Sequence, residues 1–415
     1  MRTLGMALVV GLMVGCGAAG SPKAAATAPP GGAGAPGDLP AQPGYHPAAA
    51  EASPATASSP APGVPAAGLA NAAPPGIAAA PPAEASAAAM AATSKGAAVA
   101  VAPLSASPPR AELRVLPQAG QLTAGVWDDN RNFDFWKPYA LRFTENNGRD
   151  FAMFTASELE AARVQANTEQ SARSELDVQL VLDTTGSMGD ELSYLQSEFD
   201  SIATQVRTRF PNVTPRWSLV VYKDHGDVYV AKGFEFTTDT NKFRSNLRAQ
   251  SAGGGGDTPE AVVEGLSTGL SQQWRSGANV AKIAFWVADA PAHPGEGQKL
   301  ASVIRDAKKK GVHIYPIASS DTDDAAEYQM RSAAQMTAGR YVFLTNDSGI
   351  GNSHAEPHIP CYNVSRLDHA IVRMIQVEMS GKFAPPESNQ VVRSVGRPNA
   401  AGKCQLSSGM LVASY

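Results

Sequence analysis

The chain has 415 residues, with 34 Lys and Arg against 38 Asp and Glu and a net charge of −4. No extended basic run occurs in its later, globular-looking part, so nucleic-acid binding lacks electrostatic support and is set aside. The length would hold two or three domains, but the composition of roughly the first hundred residues lowers that number.

Residues 1–16 read as an export signal. Arg2 precedes an apolar stretch from Leu4 to Val14 that is too short to span a bilayer as a mature helix. The small residues before Cys16 resemble a bacterial lipobox, which implies lipidation of Cys16; a multiply acylated cysteine gives a stable membrane anchor. Residues 17–110 hold 18 of the 31 prolines and one aromatic residue, Tyr45. Such a segment buries too little apolar surface to offset chain entropy, so a disordered Ala/Pro/Gly-rich tether is expected. Residues 111–175 are harder to place. Trp127-Asp128-Asp129-Asn130, Phe133, Phe135, Trp136 and Tyr139 are too apolar for a linker, and a small β-containing pre-domain is expected.

From Asp177 the pattern alternates strand and helix, which argues for a parallel-type sheet covered on both faces. A strand over 178–183 leads to a helix whose Leu192, Leu195, Phe199, Ile202 and Val206 form one apolar stripe, ended by Pro211. Trp217–Tyr222 and Val228–Phe236 are expected to pair around the turn Asp224-His225-Gly226-Asp227. Helices follow at 242–250 and 260–272. Strands at 282–288, 312–318 and 340–345 then alternate with helices at 297–310, 325–337 and 365–379. The expected fold is α/β, a doubly wound, mostly parallel six-stranded sheet with one antiparallel edge strand. It occupies 176–381 and leaves 382–415 as a C-terminal tail. Ligands of such sheets bind beyond the carboxyl ends of the strands, where Asp183 and Asp289 lie.

Asp183-Thr184-Thr185-Gly186-Ser187 places one carboxylate and two hydroxyls on the turn after a buried strand. Few ligands, all oxygen, suit a hard divalent cation that keeps some of its waters. The spacing resembles the metal-ion-dependent adhesion site of von Willebrand factor A domains, whose first motif reads Asp-x-Ser/Thr-x-Ser. Gly-Gly-Gly-Gly-Asp-Thr-Pro-Glu at 253–260 looks like the second metal loop, closest to the hemicentin-like branch. Ala-Phe-Trp-Val-Ala-Asp at 284–289 looks like the strand ending in the third-loop Asp, and 312–318 looks like the strand after it.

The resemblance implies a Rossmann-like fold and a site for Mg²⁺, with Mn²⁺ or Ca²⁺ as alternatives, built from Asp183, Thr185, Ser187, Asp257 and Asp289. Asp257 stands beside the position where many relatives carry a metal-binding Thr. Its other reading is a capping box with Glu260. A partner protein would complete the shell with an Asp or Glu. The chain would then be a lipid-anchored cell-envelope protein, with the outer membrane favoured and either the periplasmic or the outer face open. The rival reading is a metal-independent envelope scaffold or assembly subunit.

Catalysis is not expected. Position 185 is Thr where a phosphotransferase loop of the Asp-x-Asp type needs Asp, and Gly186 is adjacent to Ser187, which breaks Gly-x-Ser-x-Gly. Cys361 and Cys404 remain as an even pair for a disulfide. Such a bridge would close a loop of about 43 residues and stabilise by about 4 kcal/mol. The other reading of Cys361 is a zinc ligand beside His354 and His358. His225 and His293 are expected on the rim of the upper face.

Overall fold

The computed structural model describes residues 120–415, apart from 257, 351, 352 and 356. The signal and lipidation site over 1–16, the tether over 17–110 and the expected ligand Asp257 lie outside the described residues. Among those described, no helix is long and apolar enough to cross a membrane.

In chain order the strands are β1 (Thr123–Trp127), β2 (Glu175–Asp183), β3 (Arg216–Tyr222), β4 (Ala231–Thr237), β5 (Val280–Ala288), β6 (His313–Ala318), β7 (Tyr341–Leu344), β8 (Tyr362–Arg366), β9 (Val391–Val395), β10 (Lys403–Gln405) and β11 (Leu411–Ala413). The helices are α1 (Phe133–Asn147), α2 (Ala156–Ala166), α3 (Gly189–Arg209), α4 (Thr240–Arg248), α5 (Val262–Ser271), α6 (Gly297–Lys310), α7 (Asp324–Thr337) and α8 (Leu367–Ser380).

The first nine strands form one sheet in the order β4-β3-β2-β5-β6-β7-β1-β8-β9. Its first six are the expected sheet: β3, β2, β5, β6 and β7 are parallel, and β4 is the antiparallel edge. The chain leaves β2 toward β3, then returns to the other side of β2 as β5. That reversal opens a crevice beyond the carboxyl ends of β2 and β5. Leu182 lies in register with Val287, so Asp183 and Asp289 leave neighbouring strands at the same end.

The parallel strands β3, β2, β5, β6 and β7 are buried on both faces. Val178, Leu182, Ile283 and Phe285 pack with Phe199 and Ile202 of α3 and Ile371 and Ile375 of α8. Val181, Ala284, Trp286 and Ile314 pack on the other side with Leu266 of α5, Ile304 of α6 and Met330 of α7. The predicted stripe of α3 is buried as a whole, each large side chain contributing about 1.5–3 kcal/mol.

Among the described residues 120–175, the separate pre-domain expected over 111–175 is not found. β1 lies inside the sheet, antiparallel to β7 on one side and β8 on the other. Gly125 permits this closeness: a Cβ there would fall 2.3 Å from the Phe343 ring. The polar residues after β1 are also accounted for. Asp129 takes Arg331 Nη2 at 2.7 Å and Trp127 Nε1 at 2.8 Å, and Asp128 takes Arg340 at 3.1 Å. The segment 382–415, expected as a C-terminal tail, is pinned and also adds strands. β9 extends the sheet beside β8, Val412 and Tyr415 are buried, and Cys404 on β10 is bonded to Cys361. The sheet thus gains three antiparallel strands beyond the expected six, from segments whose sequence carries no long β-branched run.

Candidate metal centre

Two loops meet at the crevice and are stitched together by backbone. Gly186 N donates to Gly254 O at 2.9 Å, and Gly253 N to Thr184 O at 3.1 Å. The Lys223 ammonium donates to both the Thr184 and Gly253 carbonyls, locking the seam. The glycine run is needed for this approach. Gly254 and Gly255 have φ of +80° and +64°, and a Cβ on Gly255 would lie 2.8 Å from Glu260 Oε1 and 3.1 Å from Thr185 Cβ.

The structure brings Asp183, Thr185, Ser187 and Asp289 together. Asp183 Oδ1 accepts from Thr185 N at 2.9 Å and from its hydroxyl at 2.7 Å. The Thr185 and Ser187 hydroxyl oxygens lie 3.3 Å apart, and the Ser187 hydroxyl also bonds Asp289. Ser187 is exposed while Asp183 and Thr185 are buried, so the cluster opens to solvent on the Ser187 side. Thr258 is exposed on the second loop, and Asp257 lies outside the described residues.

One member was missed in the sequence. Glu260 was read there as half of a capping box, but α5 starts at Val262, its N-cap Ala261 makes no side-chain cap bond, and Glu260 forms an isolated bridge with Ala292. Glu260 is buried and faces Thr185 across Gly255. The available signal was its place between Pro259 and the apolar run Ala261-Val262-Val263, which makes burial the default for that segment.

Asp183 Oδ2, Glu260 Oε2 and Asp289 Oδ1 are buried with no hydrogen-bond partner among the described residues. Burial, then the charge of Asp289, pushes Asp183 up to about 7 against the pull of the Thr185 hydrogen bonds. Burial, then the charges of Asp183, Asp224 and Asp289, pushes Glu260 up to about 8. Burial raises Asp289 as well, opposed by the Ser187 hydrogen bond. Three buried carboxyls that repel one another need protons or a cation. The donor set of carboxylate and hydroxyl oxygens is that of a hard divalent ion. The residues present therefore fit Mg²⁺, Mn²⁺ or Ca²⁺.

The alternative zinc loop does not form. Cys361 is bonded to Cys404, His354 Nδ1 lies 3.1 Å from Asn346 Oδ1, and His358 Nδ1 lies 3.0 Å from Glu327 Oε2. His225 and His293 do sit on the rim, with rings stacked at 5.0 Å.

Residues 177–352 match the family model of the von Willebrand factor A domain. The chain is 26% identical over 141 residues to alpha-protein kinase vwkA of Dictyostelium discoideum, covering 34% of this chain and 22% of that protein. It is 31% identical over 118 residues to the ariadne-like RING finger protein R811 of Acanthamoeba polyphaga mimivirus, covering 28% of this chain and 11% of that one. The chain thus spans less than a quarter of the length of these curated relatives. Similar solved structures include the conserved hypothetical protein BatB from Bacteroides thetaiotaomicron, at TM-score 0.34 and 15% identity, covering 49% of this chain and 98% of that one. The pilus adhesin SpaC from Lactobacillus rhamnosus GG matches at TM-score 0.32 and 12% identity, covering 41% of this chain and 28% of that one.

Proposed function

We propose that the von Willebrand factor A domain of this chain captures a protein partner through a divalent cation at the crevice, held by Asp183, Thr185, Ser187, Glu260 and Asp289. The observation that carries this reading is the set of three buried carboxyl oxygens, on three converging loops, without hydrogen-bond partners among the described residues. A bound cation would supply positive charge to these oxygens and an open coordination position toward solvent. The chain's own part is to hold the donors in place. Thr185 orients Asp183, Ser187 orients Asp289, and the Lys223 seam keeps the glycine loop against both. A carboxylate from the partner, entering on the exposed Ser187 side, completes the shell.

The role is binding and not catalysis, since the Asp183 loop lacks both the second Asp of a phosphotransferase and a nucleophile elbow. The Gly-Gly-Gly-Asp-x-Pro-Glu run at 254–260 supports a hemicentin-like branch for the domain. Lipidation of Cys16 would hold it at the cell envelope, on the outer membrane.

The deciding experiment is calorimetry of Mg²⁺ and Mn²⁺ binding to the full chain, wild type beside Asp183→Ala. Heat that is specific to the metal and lost in a mutant with an unchanged circular dichroism spectrum is expected. Equal heats from the two proteins would sink the site. With a site established, EDTA and Asp183→Ala should abolish partner capture to the same extent.

A further inference from the structure

A second cluster stands beside the first and differs from it in chemistry. The turn after β3 carries Asp224 and His225, and Gly226 at φ +96° lets the chain reverse there. The loop after β5 carries His293. That loop is fixed against the start of α5 by Glu260 N donating to Pro291 O at 3.0 Å. His293 Nε2 lies 2.5 Å from Asp224 Oδ1, and His225 Nδ1 lies 3.9 Å from the same oxygen. One ligand atom from each of the three residues lies within 4.8 Å of the others. Glu264, in the first turn of α5, reaches the edge of this group: its Oε1 is 3.3 Å from His225 Nε2, while its Oε2 is buried with no hydrogen-bond partner among the described residues.

We infer that Asp224, His225 and His293, with Glu264 at their edge, form a second cation site that takes a borderline transition ion such as Zn²⁺. Two imidazoles and one or two carboxylates are the donors such ions prefer, whereas Mg²⁺ and Ca²⁺ take oxygen alone. A tetrahedral zinc site with bonds of about 2.0–2.1 Å sets its ligand atoms roughly 3.3 Å apart. The present spacings bracket that value, so small side-chain rotations are enough to close the site. The ion would take the place of the direct contact between His293 Nε2 and Asp224 Oδ1. Asp224 is nearly buried, His293 is part-buried and His225 is exposed, which leaves a position on the His225 side for water or for a group from a partner. This inference does not depend on the Asp183 site. The two share only a border: Glu260 feels the charges of both Asp183 and Asp224.

The test is equilibrium dialysis of Zn²⁺ against the untagged full chain in saturating Mg²⁺, with metal analysis, and the visible spectrum of Co²⁺ as a reporter of imidazole ligation. One Zn²⁺ per chain that Mg²⁺ does not displace is expected. His225→Gln and His293→Gln should each weaken it by about tenfold or more, while Asp183→Ala and His358→Gln retain it. His225 is exposed and His293 is a part-buried loop residue, so the two variants should keep the wild-type circular dichroism, which is checked first. Any of three results overturns the inference: no zinc in folded wild type, zinc fully displaced by Mg²⁺, or equal zinc in folded wild type and both variants. Loss of Mg²⁺ binding in Asp183→Ala with zinc retained would separate the two sites.

Discussion

At the level of single residues, Glu260 shows what a sequence conceals. A Glu three positions after an Asp and next to Pro has an ordinary local reading, helix capping, and the competing reading depends on burial that only the fold supplies. Asp183, Thr185, Ser187 and Asp289 were legible because strand ends and loop spacing are local properties. Glu260 also gives a measurable pH effect. Its folded value near 8 lies above the usual carboxylate range, as does that of Asp183 near 7. In the absence of metal, folding therefore favours the protonated forms. That contribution is complete below about pH 4 and is lost as the pH rises toward 8. In EDTA, wild-type stability should decline from pH 5 to pH 8. Glu260→Gln, which removes a charge from a repelling group, should stabilise the metal-free protein at pH 8 by on the order of 2 kcal/mol and weaken Mg²⁺ binding. Chemical denaturation at the two pH values checks both; an unchanged pH slope in Glu260→Gln would count against the repelling cluster.

Among the elements, the ones read correctly are those whose own residues suffice. α3 shows its stripe at a 3-4-3-4 spacing, and β2 and β5 are long apolar runs. β1 has five residues followed by Asp128, Asp129 and Asn130, which look like solvent-facing loop until Arg331 and Arg340 arrive from about two hundred residues away. β8 was hidden because Tyr362–Arg366 runs directly into α8, so its last residues looked like the first turn of the helix. The Arg331 pairing is the most exposed to test. Arg331 is fully buried between Asp129 and Glu327. Arg331→Ala would leave two buried carboxylates without their cation, and a loss of about 3–5 kcal/mol is expected from urea unfolding. A change under 1 kcal/mol would mean that the pair is dispensable for holding β1.

For the whole molecule, the Cys361–Cys404 bond joins the start of β8 to the small β10–β11 hairpin across 43 residues. Its removal in the double variant Cys361→Ser, Cys404→Ser should cost about 4 kcal/mol, and reductant should lower the melting temperature of wild type but not of the variant. Equal melting of the two under oxidising conditions would show that packing of Val412 and Tyr415 already holds the segment.

The position of β1 has a mechanical consequence. β1 runs against β7, so Ala124 lies opposite Leu344, at the same end of the sheet as Asp183 and Asp289. The described chain begins there, where the backbone amides of Gly120, Gln121 and Leu122 donate to the carboxylate of Glu198. Tension applied through the preceding residues would enter along the axis of an interior strand. It would load the hydrogen bonds to β7 and β8 together in shear instead of peeling an edge open one bond at a time. A partner gripped at the crevice would pull from that same end of the sheet, so the load would cross the sheet between its carboxyl edges and spare the opposite end. An interior strand at this position resists such a load better than an edge strand would.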